Sequence, residues 1–162
     1  MADLGEHATV LAQEVAQHDD TVAELEGAKM SRAQEIVIVY GVVSISYGFA
    51  LGIPLSRERM AAPTASRHLV IAHLSAILQG AMYLALSMAF TMSTLTPSLE
   101  TTAAVLLVCG SVLFVTGATL NWRQQVGDHF AQRSAGWRCF ALSSIGHLSG
   151  MTLVLVGVVM GI

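Results

Sequence analysis

The chain has 162 residues, of which 54% are hydrophobic and only 12% charged, with a mean hydropathy of +0.62 and a formal charge of −3. A soluble domain of this size carries about 25% charged residues. That deficit excludes an ordinary soluble globule, and the absence of any basic cluster excludes nucleic-acid binding.

Residues 1–32 form an acidic arm. Asp3, Glu6, Glu14, Asp19, Asp20, Glu24 and Glu26 face a single lysine, Lys29, before Arg32. Leu4, Ala8, Leu11, Val15, His18, Val22 and Leu25 recur at alternating steps of four and three, which is the seam of a short coiled coil. Tethered to a membrane oligomer, such a helix could associate with its copies; the competing reading is an amphipathic helix on the membrane surface or on its own bundle. The start is acidic and polar where a secretory signal has a basic region and an apolar core, so the first apolar run is expected to remain in the mature protein.

Residues 33–162 read as a four-helix transmembrane domain. Apolar runs at 36–55, 69–92, 102–122 and 138–161 match the roughly 20 residues needed to cross the hydrocarbon core. They show no period-2 alternation, so helices are the way their backbones are satisfied in lipid. The connectors at 56–68, 93–101 and 123–137 hold nearly all the remaining charge. Arg57, Arg59, Arg67, Arg123, Arg133 and Arg138 flank connectors one and three, against Lys29 and Arg32 on the other side. This places connectors one and three in the cytoplasm and both termini outside.

The first and third runs share G-x-V-x-x-x-x-G-x-x-L, at Gly41–Leu51 and Gly110–Leu120. The second and fourth carry Ala72-His73-Leu74-Ser75-Ala76 and Gly146-His147-Leu148-Ser149-Gly150. The expected fold is therefore all-α: an integral membrane four-helix bundle of two tandem hairpins, each with a histidine near the start of its second helix.

Ionisable and strongly polar groups in a membrane interior mark candidate sites. Here these are His73, Gln79, Asn121 and His147, with Glu35 at the mouth of the first helix. His73 is either a haem-iron ligand or an interfacial histidine bonded to a neighbouring helix. Gly80, after Gln79, admits close approach by a helix or by a flat cofactor. His147 sits in a G-x-x-x-G helix-contact pattern; together with His73 it could make a six-coordinate iron site. Asn121-Trp122-Arg123 also reads as a helix end with an aromatic anchor and a snorkelling arginine. Asp128-His129 reads as a solvated connector pair or as a metal or acid–base pair. Cys109 and Cys139 show no metal or redox spacing.

Ala72-His73-Leu74-Ser75-Ala76-Ile77-Leu78-Gln79-Gly80-Ala81-Met82 resembles the helix-two signature of the hydroxylaminobenzene mutase family. Leu51-Gly52-Ile53-Pro54, followed by an arginine-bearing connector, and Asn121-Trp122 at the end of helix three extend the resemblance over residues 36–161. That family is similar to the styrene oxide isomerases, in which the helix-two histidine ligates a haem b between protomers of a trimer. The resemblance implies a homotrimer with His73 as axial ligand, Gly80 beside the cofactor, and Gln79 and Asn121 lining the open face of the iron. It implies an isomerase for a small apolar aromatic substrate reaching the site through membrane lipid. An arylhydroxylamine would become a 2-aminophenol by intramolecular hydroxyl transfer, with ferric haem as Lewis acid. In a bacterial cell the location would be the inner membrane. Gln79 stands where asparagine is more usual. Helix three lacks the carboxylate and the tyrosine that the epoxide isomerases use, which favours the mutase branch. The competing functions are a styrene-oxide-type isomerase, a bis-histidine cytochrome b using His73 and His147, and a haem-free membrane scaffold.

Overall fold

A computed structural model describes residues 30–127 and 132–161; residues 1–29 of the acidic arm and Asp128-His129 lie outside these described residues. The described chain is a bundle of four helices: α1 Arg32–Ala61, α2 Arg67–Thr91, α3 Pro97–Arg123 and α4 Ala135–Val159. All four are long and apolar enough to cross a membrane, so this is a multi-pass membrane protein.

Each helix starts three to five residues before the apolar run from which it was read, except α2, which starts two before. Hydropathy ends where the hydrocarbon ends, but a helix continues until its terminal groups are capped. Ser31 and Gln34 form a capping box at the start of α1 (Ser31 N–H to Gln34 Oε1 2.8 Å, Gln34 N–H to Ser31 Oγ 3.3 Å). Pro97 occupies the first turn of α3, where its missing N–H costs nothing. Ser134 caps α4 by accepting from the Trp137 N–H at 3.1 Å. The α1 helix carries Pro54 and still runs on to Ala61.

Polarity is inverted relative to a soluble bundle. Phe49, Ile145, Leu148 and Leu155 point outward, while Ser44, Ser111, Asn121 and Ser143 are buried. Lipid tails are as apolar as leucine, so close packing and interhelical hydrogen bonds must hold the helices together. The helices pair as two intimate hairpins, α1 with α2 and α3 with α4; α3 docks on α1 and α2, and α4 meets α2 only briefly.

Small residues make both hairpins. A Cβ placed on Gly41 would lie 2.9 Å from the Gly80 carbonyl oxygen, and one on Gly48 would lie 3.3 Å from that of His73. In the second hairpin, a Cβ on Gly110 would lie 3.0 Å from the Ser143 carbonyl oxygen, and one on Gly117 2.8 Å from that of Gly136. The glycine repeat is thus realised in space, but the histidines do not correspond. Gly80 matches Ser143 and His73 matches Gly136. The side chain that covers Gly110 is His147, whereas the one that covers Gly41 is Leu84. The α1 helix runs about two turns further beyond its second glycine than α3 does, and this shifts the register of the second hairpin.

Candidate functional site

His73 lies in the first half of α2, half-buried against α1. Its Nδ1 is 2.8 Å from the Gly48 carbonyl oxygen. A carbonyl only accepts, so in the neutral ring Nδ1 carries the proton and Nε2 keeps the lone pair. Nε2 has no hydrogen-bond partner among the described residues. Gly48 permits this contact by letting the α2 backbone come close, and Gly52 leaves room beside the ring, with its Cβ position 3.5 Å from Cε1. A histidine whose Nδ1–H is held by a backbone carbonyl is oriented as metal-ligating histidines usually are.

Gln79 lies six residues further along α2, about 9 Å along the axis and on another face. It belongs to a chain of polar groups midway along α2 and α3. Tyr40 donates to Ser111 Oγ at 2.9 Å, and Ser111 donates in a short bond to Gln79 Oε1. The Tyr40 ring meets Tyr83 edge-on, with centroids 5.2 Å apart. Gly80 is buried, and its close contact is with the α1 backbone at Gly41.

His147 closes a second chain. The Tyr83 hydroxyl donates its one proton to the Leu107 carbonyl oxygen at 2.7 Å and lies 3.4 Å from His147 Nε2. His147 Nδ1 lies 3.1 Å from both the hydroxyl and the carbonyl oxygen of Ser143, so the ring proton is held within the bundle in either tautomer, by the Ser143 carbonyl oxygen or by Tyr83. Both ring nitrogens of His147 are thereby engaged, in contrast to His73. Gln79 and His147 share a groove of about 490 Å³ with Met82, Phe114, Ser143, Ser144 and Leu148. Across α3, Tyr40, Tyr47, Val43, Ser44, Val112, Val115 and Thr116 line a crevice of about 220 Å³.

His73 and His147 are not brought together within the chain. His147 reaches Tyr83, ten residues beyond His73 and about 15 Å further along α2. Asn121 is separated from Gln79 in the same way. It lies ten residues beyond Ser111 on α3, about 15 Å towards connector three. There it is fully buried, accepts from Ser134 Oγ at 2.7 Å, and packs against Gly136. Its amide nitrogen is buried without a hydrogen-bond partner among the described residues. Glu35 is exposed at the start of α1.

Four polar residues matter structurally although hydropathy does not single them out. Glu58 takes the Trp122 indole N–H at 2.7 Å and the Ser66 backbone N–H at 2.8 Å, which ties α1 to α3 and to connector one. His68 is buried and its Nε2–H donates to the Val126 carbonyl oxygen at 2.8 Å, linking connectors one and three. Arg123 lies over the Trp122 ring at 5.4 Å. Glu100 is buried in the first turn of α3; the S/T-P start two turns before the apolar core was the available signal.

Among the described residues no three His, Cys, Asp or Glu side chains converge on a point. A metal held by protein ligands alone therefore has no such donor set there, whereas a porphyrin brings its own nitrogens and needs one histidine. His73 fits that requirement. No family model, curated protein or solved structure matches the chain.

Proposed function

We propose that this chain is a membrane-embedded isomerase that converts an arylhydroxylamine into a 2-aminophenol, with His73 as the residue that would hold a haem b. The observation that carries the reading is the hydrogen bond from His73 Nδ1–H to the Gly48 carbonyl oxygen, which leaves Nε2 as an oriented lone pair in an apolar setting. The reaction class comes from the resemblance of residues 72–82 to the hydroxylaminobenzene mutases.

Bound there, a ferric haem supplies Lewis acidity towards the substrate's hydroxyl oxygen with no net redox change. Over the whole reaction the N–O bond breaks, a C–O bond forms at the ortho carbon, and a proton passes from that carbon to nitrogen. The chain's own contribution is polar and steric. The Gln79 amide is a fixed dipole for charge developing on the oxygen. The apolar walls of Met82, Phe114 and Leu148 limit access of water, which would otherwise capture the activated ring. Asn121, held by Ser134 and Gly136, braces the α3–α4 turn in this reading. A homotrimer carrying the haem between protomers would bring the outer face of one hairpin to the groove of another. The arginines of connectors one and three support a cytoplasmic side for both connectors, with the bacterial inner membrane as the proposed setting.

Incubating haem-supplied protein with phenylhydroxylamine in ¹⁸O-labelled water tests this. The expected product is 2-aminophenol that retains the substrate's own oxygen. Label in the phenolic oxygen, or no aminophenol, would overturn the proposal. Turnover of styrene oxide instead would move the chain to the epoxide branch.

A further inference from the structure

The two crevices on either side of α3 are joined by one hydrogen-bond chain that runs from Tyr40 through Ser111 to Gln79. Tyr40 lines the smaller crevice, Gln79 lines the larger groove, and Ser111 sits between them with no exposed surface. The Tyr40 hydroxyl donates to Ser111 Oγ, so the single proton of Ser111 is left for Gln79. Only the carbonyl oxygen of the Gln79 amide can receive it. The amide nitrogen is therefore turned away from Ser111, and it has no hydrogen-bond partner among the described residues. In hydrocarbon no water is at hand to satisfy a bare N–H.

We propose that Tyr40 and Ser111 are positioning residues that lock the Gln79 amide with its N–H groups towards the α2–α4 groove, making it a site for an uncharged aromatic ligand that offers an oxygen acceptor. Phe114, Met82 and Leu148 supply the apolar walls, and about 490 Å³ lies within the range of roughly 300–1,000 Å³ usual for small-molecule sites. His147 offers no competing donor, because both its ring nitrogens are engaged, Nδ1 by Ser143 and Nε2 by Tyr83. Taking the acceptor to be the substrate's reacting oxygen rests on the isomerase reading; the donor polarity of the groove does not.

A near-isosteric ligand pair reads the polarity without turnover or haem. Acetophenone carries a carbonyl where α-methylstyrene carries a methylene. Binding of each to the full chain in lipid nanodiscs is measured by ligand-observed NMR and corrected for partition into empty nanodiscs. Wild type is expected to prefer acetophenone about tenfold, the worth of one net hydrogen bond. Gln79→Met sets the preference at which that donor is missing. Ser111→Ala is expected to fall to that level while α-methylstyrene still binds, and Tyr40→Phe, which leaves Ser111 in place, to fall part of the way. No preference in wild type, no binding of either ligand, or a preference unchanged in both Ser111→Ala and Tyr40→Phe would overturn the proposal. A wild-type preference without isomerase turnover would overturn the proposed reaction and leave this site standing.

Discussion

Replacing Gly80 by alanine adds one methyl group where two helix backbones touch. Its carbon would lie 2.7 Å from the Gly41 carbonyl oxygen and 3.0 Å from the Ile45 nitrogen. Neither atom can turn aside, because both belong to the hydrogen-bonded ladder of α1. Restoring an ordinary contact of 3.4 Å to that oxygen means moving α1 and α2 apart by about 0.7 Å. The same face carries the bonds from Ser44 to the Ala76 carbonyl and from His73 to the Gly48 carbonyl, both 2.8 Å. A shift of that size would stretch them towards the limit of useful bonding. Overpacking of this kind costs about 1–3 kcal/mol, and weakening one interhelical bond adds up to about 0.6 kcal/mol. Gly52→Ala is the matched control, because its methyl would meet the His73 ring at an ordinary 3.5 Å. Unfolding by sodium dodecyl sulfate in mixed micelles, followed by far-ultraviolet circular dichroism, should show Gly80→Ala destabilised by about 1–3 kcal/mol and Gly52→Ala near wild type. Equal stability of the two variants would refute the claim that the Gly41–Gly80 contact sets the spacing of the first hairpin.

Three further outcomes follow from the hydrogen bonds. Tyr83→Phe removes the bonds to Leu107 and His147 and should cost about 0.6–1.7 kcal/mol in the same unfolding assay, with helix content retained. Ser134→Ala removes both the cap of α4 and the bond to Asn121; the cap alone should cost about 1 kcal/mol, and Ser134→Thr should recover most of it. Glu58→Ala frees the Trp122 indole, so in a Trp137→Phe background the fluorescence of the remaining tryptophan should shift to the red. An unshifted spectrum would contradict the Glu58–Trp122 bond.

The four spans and their pairing were legible because lipid imposes them. A helix that satisfies its backbone inside hydrocarbon must be apolar throughout, and the Gly41/Gly48 and Gly110/Gly117 repeat marks where backbones approach. Helix ends were less legible. They are set by Ser31, Pro97 and Ser134, residues that a hydropathy window averages away. The equivalence of His73 with His147 failed for a physical reason: a short motif records spacing along one helix, but its depth depends on how far the preceding helix extends before turning. Gln79 could be singled out as a polar residue in an apolar run. Its partners could not, because Tyr40 and Ser111 lie on other helices and neither is unusual in a membrane segment. Asn121 was recognisable as a polar residue near a helix end, but its bond to Ser134 crosses a connector whose length alone does not fix the contact.

The most direct test of the central claim is the visible spectrum of the purified, haem-supplied protein beside His73→Ala and His147→Leu. Both nitrogens of His147 are already engaged by Ser143 and Tyr83, whereas Nε2 of His73 has no partner among the described residues. Wild type and His147→Leu should therefore show the same Soret band, and His73→Ala should lose it. A wild type that stays colourless, or a band that survives in His73→Ala, would contradict haem ligation by His73 and the isomerase mechanism built on it.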